Sequence, residues 1–260
     1  LYHLKADADR TLADIVRSIA CGYLAGTANG IRTDPTSALV WSPPHFTWMD
    51  TNHPACTPRQ GYPIEIQVLW IRLLAPPGVS AANAQRDDAL RPNQIFAVSL
   101  GIVRGDLARR SVAAAVRHLV VPGAVRSLAA LPVSIPLDLR SAAGEPLSDP
   151  LNPYWGRYQG DEDSRRKPAY HNGTAWTWPF PSVCEAIALA WDFTPLAVVT
   201  ARSLLGSMDL LLDRGCSGQI PELLDGDSPH QQRGCDAQAW GVTEALRVWR
   251  LLDQRVAQRP

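Results

Sequence analysis

Residues 174–191 read TAWTWPFPSVCEAIALAW. A tryptophan-bearing segment with Pro179 and Pro181 runs into an unbroken apolar stretch, the pattern of a loop feeding a helix that carries proline in its first turn. The same alternation extends outward in both directions. Upstream, SVAAAVRHLV at 111–120 is strongly helical by propensity. Residues 80–120 as a whole read as two or three short helices broken at Pro92 and Gly105. Nearer the start, Leu12, Ile15, Val16, Ile19 and Ala20 form one helical face, with Asp9 or Thr11 as its cap, and this helix dissolves in GTANG at 26–30. Another helix begins at Pro63 with Ile64, Val68, Leu69, Ile71 and Leu73. Downstream, a helix is expected over about 195–213, ending at Gly215, and a last one from about Asp236 to Asp253. Hairpin signals are almost absent and no valine- or isoleucine-rich strands alternate with the helices, so the chain is expected to be mainly α.

Between these helices lie three long loops: 31–61, 121–173, and a third that holds IPELLDGDSPHQQRG at 220–234. Long structureless segments in a compact domain are either disordered or functional, and 31–61 is rich in aromatic residues, which favours function. The 260 residues include nine tryptophans and six tyrosines, suited in part to stacking flat rings on a ligand. Twenty-five basic residues balance twenty-five acidic ones, so no long-range attraction for nucleic acid or an acidic membrane is expected. All the basic residues except Lys5 and Lys167 are arginines. Cys21, Cys56, Cys184, Cys216 and Cys235 form no CxxC pair and are expected to be free thiols in a reducing compartment. No segment has signal-peptide or membrane-spanning character, and the expected location is the cytoplasm. The chain begins without methionine, within a helical pattern, and is expected to be a fragment of a longer polypeptide.

Phosphate-cradling glycine motifs and a GxSxG elbow are absent. The histidines are too dispersed for a zinc signature, although His45, His53 and Asp50 lie close enough in sequence to consider a metal; no metal or other cofactor is expected. Acidic residues in the aromatic loops are the better lead. Asp50 lies in HFTWMDTNHP and Glu222 in QIPELLDGD. Glycoside hydrolysis needs one carboxylic acid to protonate the leaving oxygen and one carboxylate to activate water or attack carbon, and indole neighbours raise the pKa of an acid by removing its solvation. The plainer alternative is structural: Asp50 caps a helix or pairs with Arg59, and Glu222 does the same with Arg233.

Four blocks then carry a resemblance: HFTWMDTNHPACTPRQGYPIEIQVLW at 45–70, LRPNQIFAVSL at 90–100, YHNGTAWTWPF at 170–180 and IPELLDGDSPHQQRGCDAQAWGVTEALR at 220–247. In this order they resemble the amylo-α-1,6-glucosidase family, the glucosidase part of glycogen debranching enzymes. The resemblance implies an (α/α)6 toroid of the six-hairpin glycosidase type. About eight helices are counted against twelve, so residues 1–260 are expected to be one partial catalytic domain. It also implies inverting exo-hydrolysis of the α-1,6-linked glucose left at a trimmed branch point, with Asp50 as general acid and Glu222 as general base, roughly 6.5–9.5 Å apart.

Around them the resemblance places Trp48 against the acid, and Arg59 and Glu65 either on sugar hydroxyls or bracing the acid loop. Tyr170, an exposed His171, Trp176 and Trp178 would shape the glucose pocket, and Gln238 and Trp240 would line the base side. Core packing is the alternative for Trp48 and Trp240. Asn93 and Gln94 are expected to begin an interior helix, while Tyr154, Tyr158 and Gly160 are candidates for contacts beyond the cleaved bond. The family usually shows RDxAYHQGTVWPW, whereas this chain has RKPAYHNGTAWTW, with Lys167 in place of an acid, Asn172 of glutamine and Thr177 of proline. The implied partner is a branched α-glucan or limit dextrin, together with the upstream remainder of the same polypeptide. Alternatives are a glucosidase for another small α-glucoside and a non-catalytic carbohydrate-binding fragment.

Overall fold

The structure, a computed structural model, describes residues 12–52, 59–74 and 87–257. Asp9, Thr11, His53 and Cys56 lie outside the described residues. The chain divides into two compact units. One comprises Leu1–Asp50 and Pro58–Arg86, the other Thr51–Thr57 and Asp87–Pro260. Eight α-helices among the described residues make the protein mainly helical, with two small sheets.

In the first unit, α1 (Leu12–Ala25) and α2 (Ile64–Leu74) flank a minimal antiparallel pair, β1 (Arg32–Thr33) and β2 (Val40–Trp41). Both helices follow the sequence reading closely. Strands of two residues cannot satisfy their own outer edge, and the buried Gln67 on α2 does so instead. Its Oε1 accepts from Val40 N at 2.9 Å and its Nε2 donates to Val40 O at 2.8 Å. Nearby, Trp70 donates its indole N–H to Ala38 O at 3.0 Å and meets Tyr23 edge-on.

The second unit is built around α6 (Phe180–Ala190), in which every residue except Leu189 is buried. A helix that is apolar on all sides must be covered on all sides. Its neighbours are α3 (Ile95–Ser99), α4 (Gly105–His118), α7 (Pro195–Leu205) and α8 (Ala239–Ala257). The one charged side chain on α6, Glu185, is buried and paired with Arg247 of α8 at 2.6 Å. As expected, the turn that opens α3 is interior, with Asn93 buried.

Where hairpin signals are nearly missing from the sequence, the structure contains a five-stranded antiparallel sheet. Its order is β3 (Val120–Val121), β4 (Ala124–Arg126), β5 (Ala175–Trp176), β6 (Leu223–Leu224) and β7 (Gln232–Arg233). Two- and three-residue strands are too short to display the alternation that betrays a strand. The β3–β4 turn is the dipeptide Pro122-Gly123, with Gly123 at φ +75° and a Cβ there driven into Leu211.

Two helix boundaries also differ from expectation. The helix from 195 yields at Gly206 to 3₁₀ turns through Leu211. The last helix starts at Ala239 rather than Asp236, because residues 235–238 are tied to the sheet: Cys235 O accepts from Glu222 N at 2.9 Å, and Gln238 N donates to Ile220 O at 3.2 Å. The described cysteines Cys21, Cys184, Cys216 and Cys235 are free thiols, and burial pushes the Cys184 thiol far up. No described helix is long and apolar enough to cross a membrane.

Replacing Gln67 with alanine is expected to strand the Val40 amide and carbonyl and to cost about 1–3 kcal/mol, read as a lower denaturant midpoint and faster hydrogen exchange at Val40.

Candidate active site

Glu222 is the centre of the second unit's loop end. It precedes β6, only 6% exposed, and the sheet fixes its main chain on both sides. Its N–H donates to Cys235 O, while its carbonyl accepts from Thr177 N at 3.2 Å and from Thr177 Oγ1 at 3.1 Å. Thr177 Oγ1 also lies 2.6 Å from Pro221 O. The Glu222 side chain is held as firmly: Oε1 accepts from the Tyr170 hydroxyl at 2.5 Å and Oε2 from Cys235 N at 2.9 Å. Gly234 sits at φ +68°, and a Cβ there would collide with the Glu222 carboxylate.

An aromatic cluster backs this carboxylate. Trp176, opposite Leu223 in the β5–β6 register, is 2% exposed. Its indole N–H is spent on Tyr170 O at 2.9 Å and Thr174 Oγ1 at 3.1 Å. His171 stacks on Trp176 with ring centroids 5.0 Å apart and is fully buried, so the exposure required for its expected sugar contact is missing. Both residues stand behind Tyr170 as support. Trp178 is sandwiched between Phe96 at 5.5 Å and Trp240 at 4.9 Å, all nearly parallel. Trp240 is 37% exposed, with its indole N–H donated to Gln238 Oε1, and it closes the stack toward solvent.

Lys167 and Asn172 find local partners as well. Lys167 donates to Asp163 Oδ1 at 2.6 Å and lies 3.7 Å from Glu162; the Asp163 bond is the main reason its pKa is raised. Its charge is thus answered by two acids one turn earlier. Asn172 accepts from Arg91 through Oδ1 at 3.0 Å and donates to Pro168 O at 2.9 Å. The buried Arg91 also donates to Ser127 O and His171 O, which knits the two family blocks together.

Asp225 is a residue that sequence reasoning passed over. Fully buried, it accepts from Tyr158 N at 2.8 Å and from Arg233 Nε and Nη2 at 3.1 and 3.0 Å. Arg233 is therefore engaged by Asp225, in place of the pairing with Glu222 considered above. The only sequence signal for Asp225 is its place three residues after Glu222 in an acidic loop. Tyr154 donates to Asp227 Oδ1 at 2.9 Å, and burial chiefly, with that bond, pushes its hydroxyl up to about 12. Burial first, with the Glu222 charge assisting, also raises Tyr158. The exposed Cys235 thiol is raised mainly by the Glu222 charge.

In the first unit, Asp50 is exposed at the end of the TWMD segment, after the half-buried Trp48 and the buried Met49. Arg59 makes a two-point pair with Glu65, Nη1 to Oε1 at 2.6 Å and Nη2 to Oε2 at 3.1 Å. Its Nη1 also reaches Thr47 Oγ1 at 3.5 Å, and that oxygen accepts from Met49 N at 3.2 Å. These bonds tie the Arg59–Glu65 pair to Thr47 in the TWMD segment. Among the described residues no group of three or more His, Cys, Asp or Glu side chains could hold a metal ion.

These blocks fall within a match to a known family. Residues 2–81 and 78–247 match the model of a glycoside hydrolase family described as amylo-alpha-1,6-glucosidase. The chain belongs to that family, which is of the glycogen-debranching glucosidase type. No curated protein matches it.

Two outcomes follow from the geometry. Gly234→Ala should cost about 1–3 kcal/mol or more, through left-handed strain and the collision of its Cβ with the fixed Glu222 carboxylate, whereas Gly206→Ala, at φ −59° in open space, should be neutral or stabilising by about 0.4–1 kcal/mol. Paired thermal melts would separate them. Because Tyr154 is raised from 10.0 to about 12, its stabilisation is complete below pH 10 and lost as pH climbs toward 12. Tyr154→Phe should therefore flatten the alkaline fall in stability across that window, measured by denaturant unfolding at stepped pH.

Proposed function

We propose that this chain is an inverting, exo-acting glucosidase that removes α-1,6-linked glucose from trimmed branch points of a glycogen-like polymer or limit dextrin. Asp50 is the general acid and Glu222 the general base. Asp50 gives its proton to the glycosidic oxygen as the bond from that oxygen to the anomeric carbon breaks. Glu222 takes a proton from the water that attacks the opposite face, so the released glucose has the β configuration. The observation that carries this reading is Glu222, a buried carboxylate fixed through both oxygens within a matched family block.

Trp48 walls the acid, Arg59 and Glu65 keep its loop in place, Trp240 supplies the platform for sugar, and Trp178 and Gln238 supply its edge. Tyrosine and tryptophan rings suit this work because they present an apolar face to sugar C–H groups and a polar atom at the rim. His171 and Trp176 act from behind, through Tyr170. Residues 1–260 are part of an (α/α)6 catalytic domain that is incomplete in this chain, acting in the cytoplasm on a branched α-glucan, without nucleic acid or membrane as partner. Neither catalytic step calls for a metal or organic cofactor.

Glucose release from a branched limit dextrin, followed by proton NMR of the nascent anomer, tests the reading. The parent should release β-glucose, and Asp50→Asn and Glu222→Gln should each lower the rate about 10²–10⁴-fold. Release of α-glucose, or full activity in either variant, would sink the mechanism.

A further inference from the structure

We infer that Tyr170 is the positioning residue of the base: its hydroxyl fixes the rotation of the Glu222 carboxylate, and its role is not to bind sugar. This rests on the reading of Glu222 as general base. The hydroxyl donates to Oε1, and hydrogen bonds to a carboxylate are roughly twice as strong as neutral ones. With Cys235 N on Oε2, each oxygen receives one donor, and the carboxylate plane is defined by two fixed points. A carboxylate has about four lone-pair sites, so two remain for the attacking water, and their directions are set before substrate arrives.

The phenol can do this because its ring and its main chain are both immobilised. The ring meets Trp176 edge-on at 4.9 Å and leans on Tyr158 at 5.4 Å and His171 at 4.7 Å. The Tyr170 carbonyl accepts from Trp176 Nε1 at 2.9 Å and from Thr174 Oγ1 at 2.6 Å. Trp176 is in turn paired with Leu223, the residue after Glu222. Donor and acceptor are thus each tied to one of two adjacent strands, Tyr170 at the end of the short helix Lys167–Tyr170 through Trp176 of β5, and Glu222 as the residue before β6. This assigns the buried Trp176 and His171 their work: they hold the ring that holds the base.

The test has two arms. In proton NMR of the intact chain, the Tyr170 hydroxyl should give a slowly exchanging downfield resonance that vanishes in Tyr170→Phe and moves in Glu222→Gln. Absence of that resonance from the folded parent would overturn the contact, even if Tyr170→Phe fails to fold. In kinetics on limit dextrin, Tyr170→Phe should lower kcat about 10- to 100-fold with KM changed less than about twofold, and should cause no further loss in the Glu222→Gln background. A rise in KM with kcat intact would mark Tyr170 as a sugar contact, and equal losses in both backgrounds would mark it as structural support; either refutes the inference. If Glu222→Gln is inactive while Tyr170→Phe is fully active, only this inference fails. A folded parent that releases no glucose sinks the functional reading and this role together.

Discussion

A carboxylate taken out of water must be given donors, and much of the second unit is organised around supplying them to Glu222. A buried, unsatisfied acid is costly to leave in place. The short strands β5, β6 and β7 bring three chain segments to one point: Thr177 to the Glu222 carbonyl, Cys235 to its amide and one oxygen, and Tyr170 to the other oxygen. Gly234 is the steric counterpart, since only a residue without Cβ leaves room for that carboxylate. Delay of α8 until Ala239 belongs to the same arrangement, because the preceding residues are committed to the sheet.

This division of labour separates frame from chemistry. Helix α6, buried nearly throughout, ties α3, α4, α7 and α8 into a core that makes no demand on the polar loops. The loops then carry buried polar groups that must satisfy one another. Arg91, Asn172, Asp225 and Arg233 do so through main-chain carbonyls and paired side chains. Lys167 is accommodated by Asp163 and Glu162.

The helices were legible because their signals are local: the apolar face after Pro63, the alanine-rich run at 111–120 and the prolines before 182 each announce a start or a stretch of helix. The sheet was hidden, since strands as short as Ala175–Trp176 hold too few residues to show a period. Glu222 could be singled out by its acidic loop and family block, but its second donor could not. Cys235 acts through its backbone N–H, which every residue except proline possesses. Burial of His171 and Trp176 was equally hidden, because an aromatic residue in a loop reads the same whether its ring faces solvent or sheet.

The stacked indoles of Trp178 and Trp240, 4.9 Å apart and 17° from parallel, have a consequence beyond packing. Two chromophores this close share their excited states, and the exciton they form rotates polarised light in a way isolated indoles do not. The loop end of the second unit therefore carries its own circular dichroism couplet. Anything that slides between the rings, or tilts the exposed one, rewrites that couplet without the addition of a label.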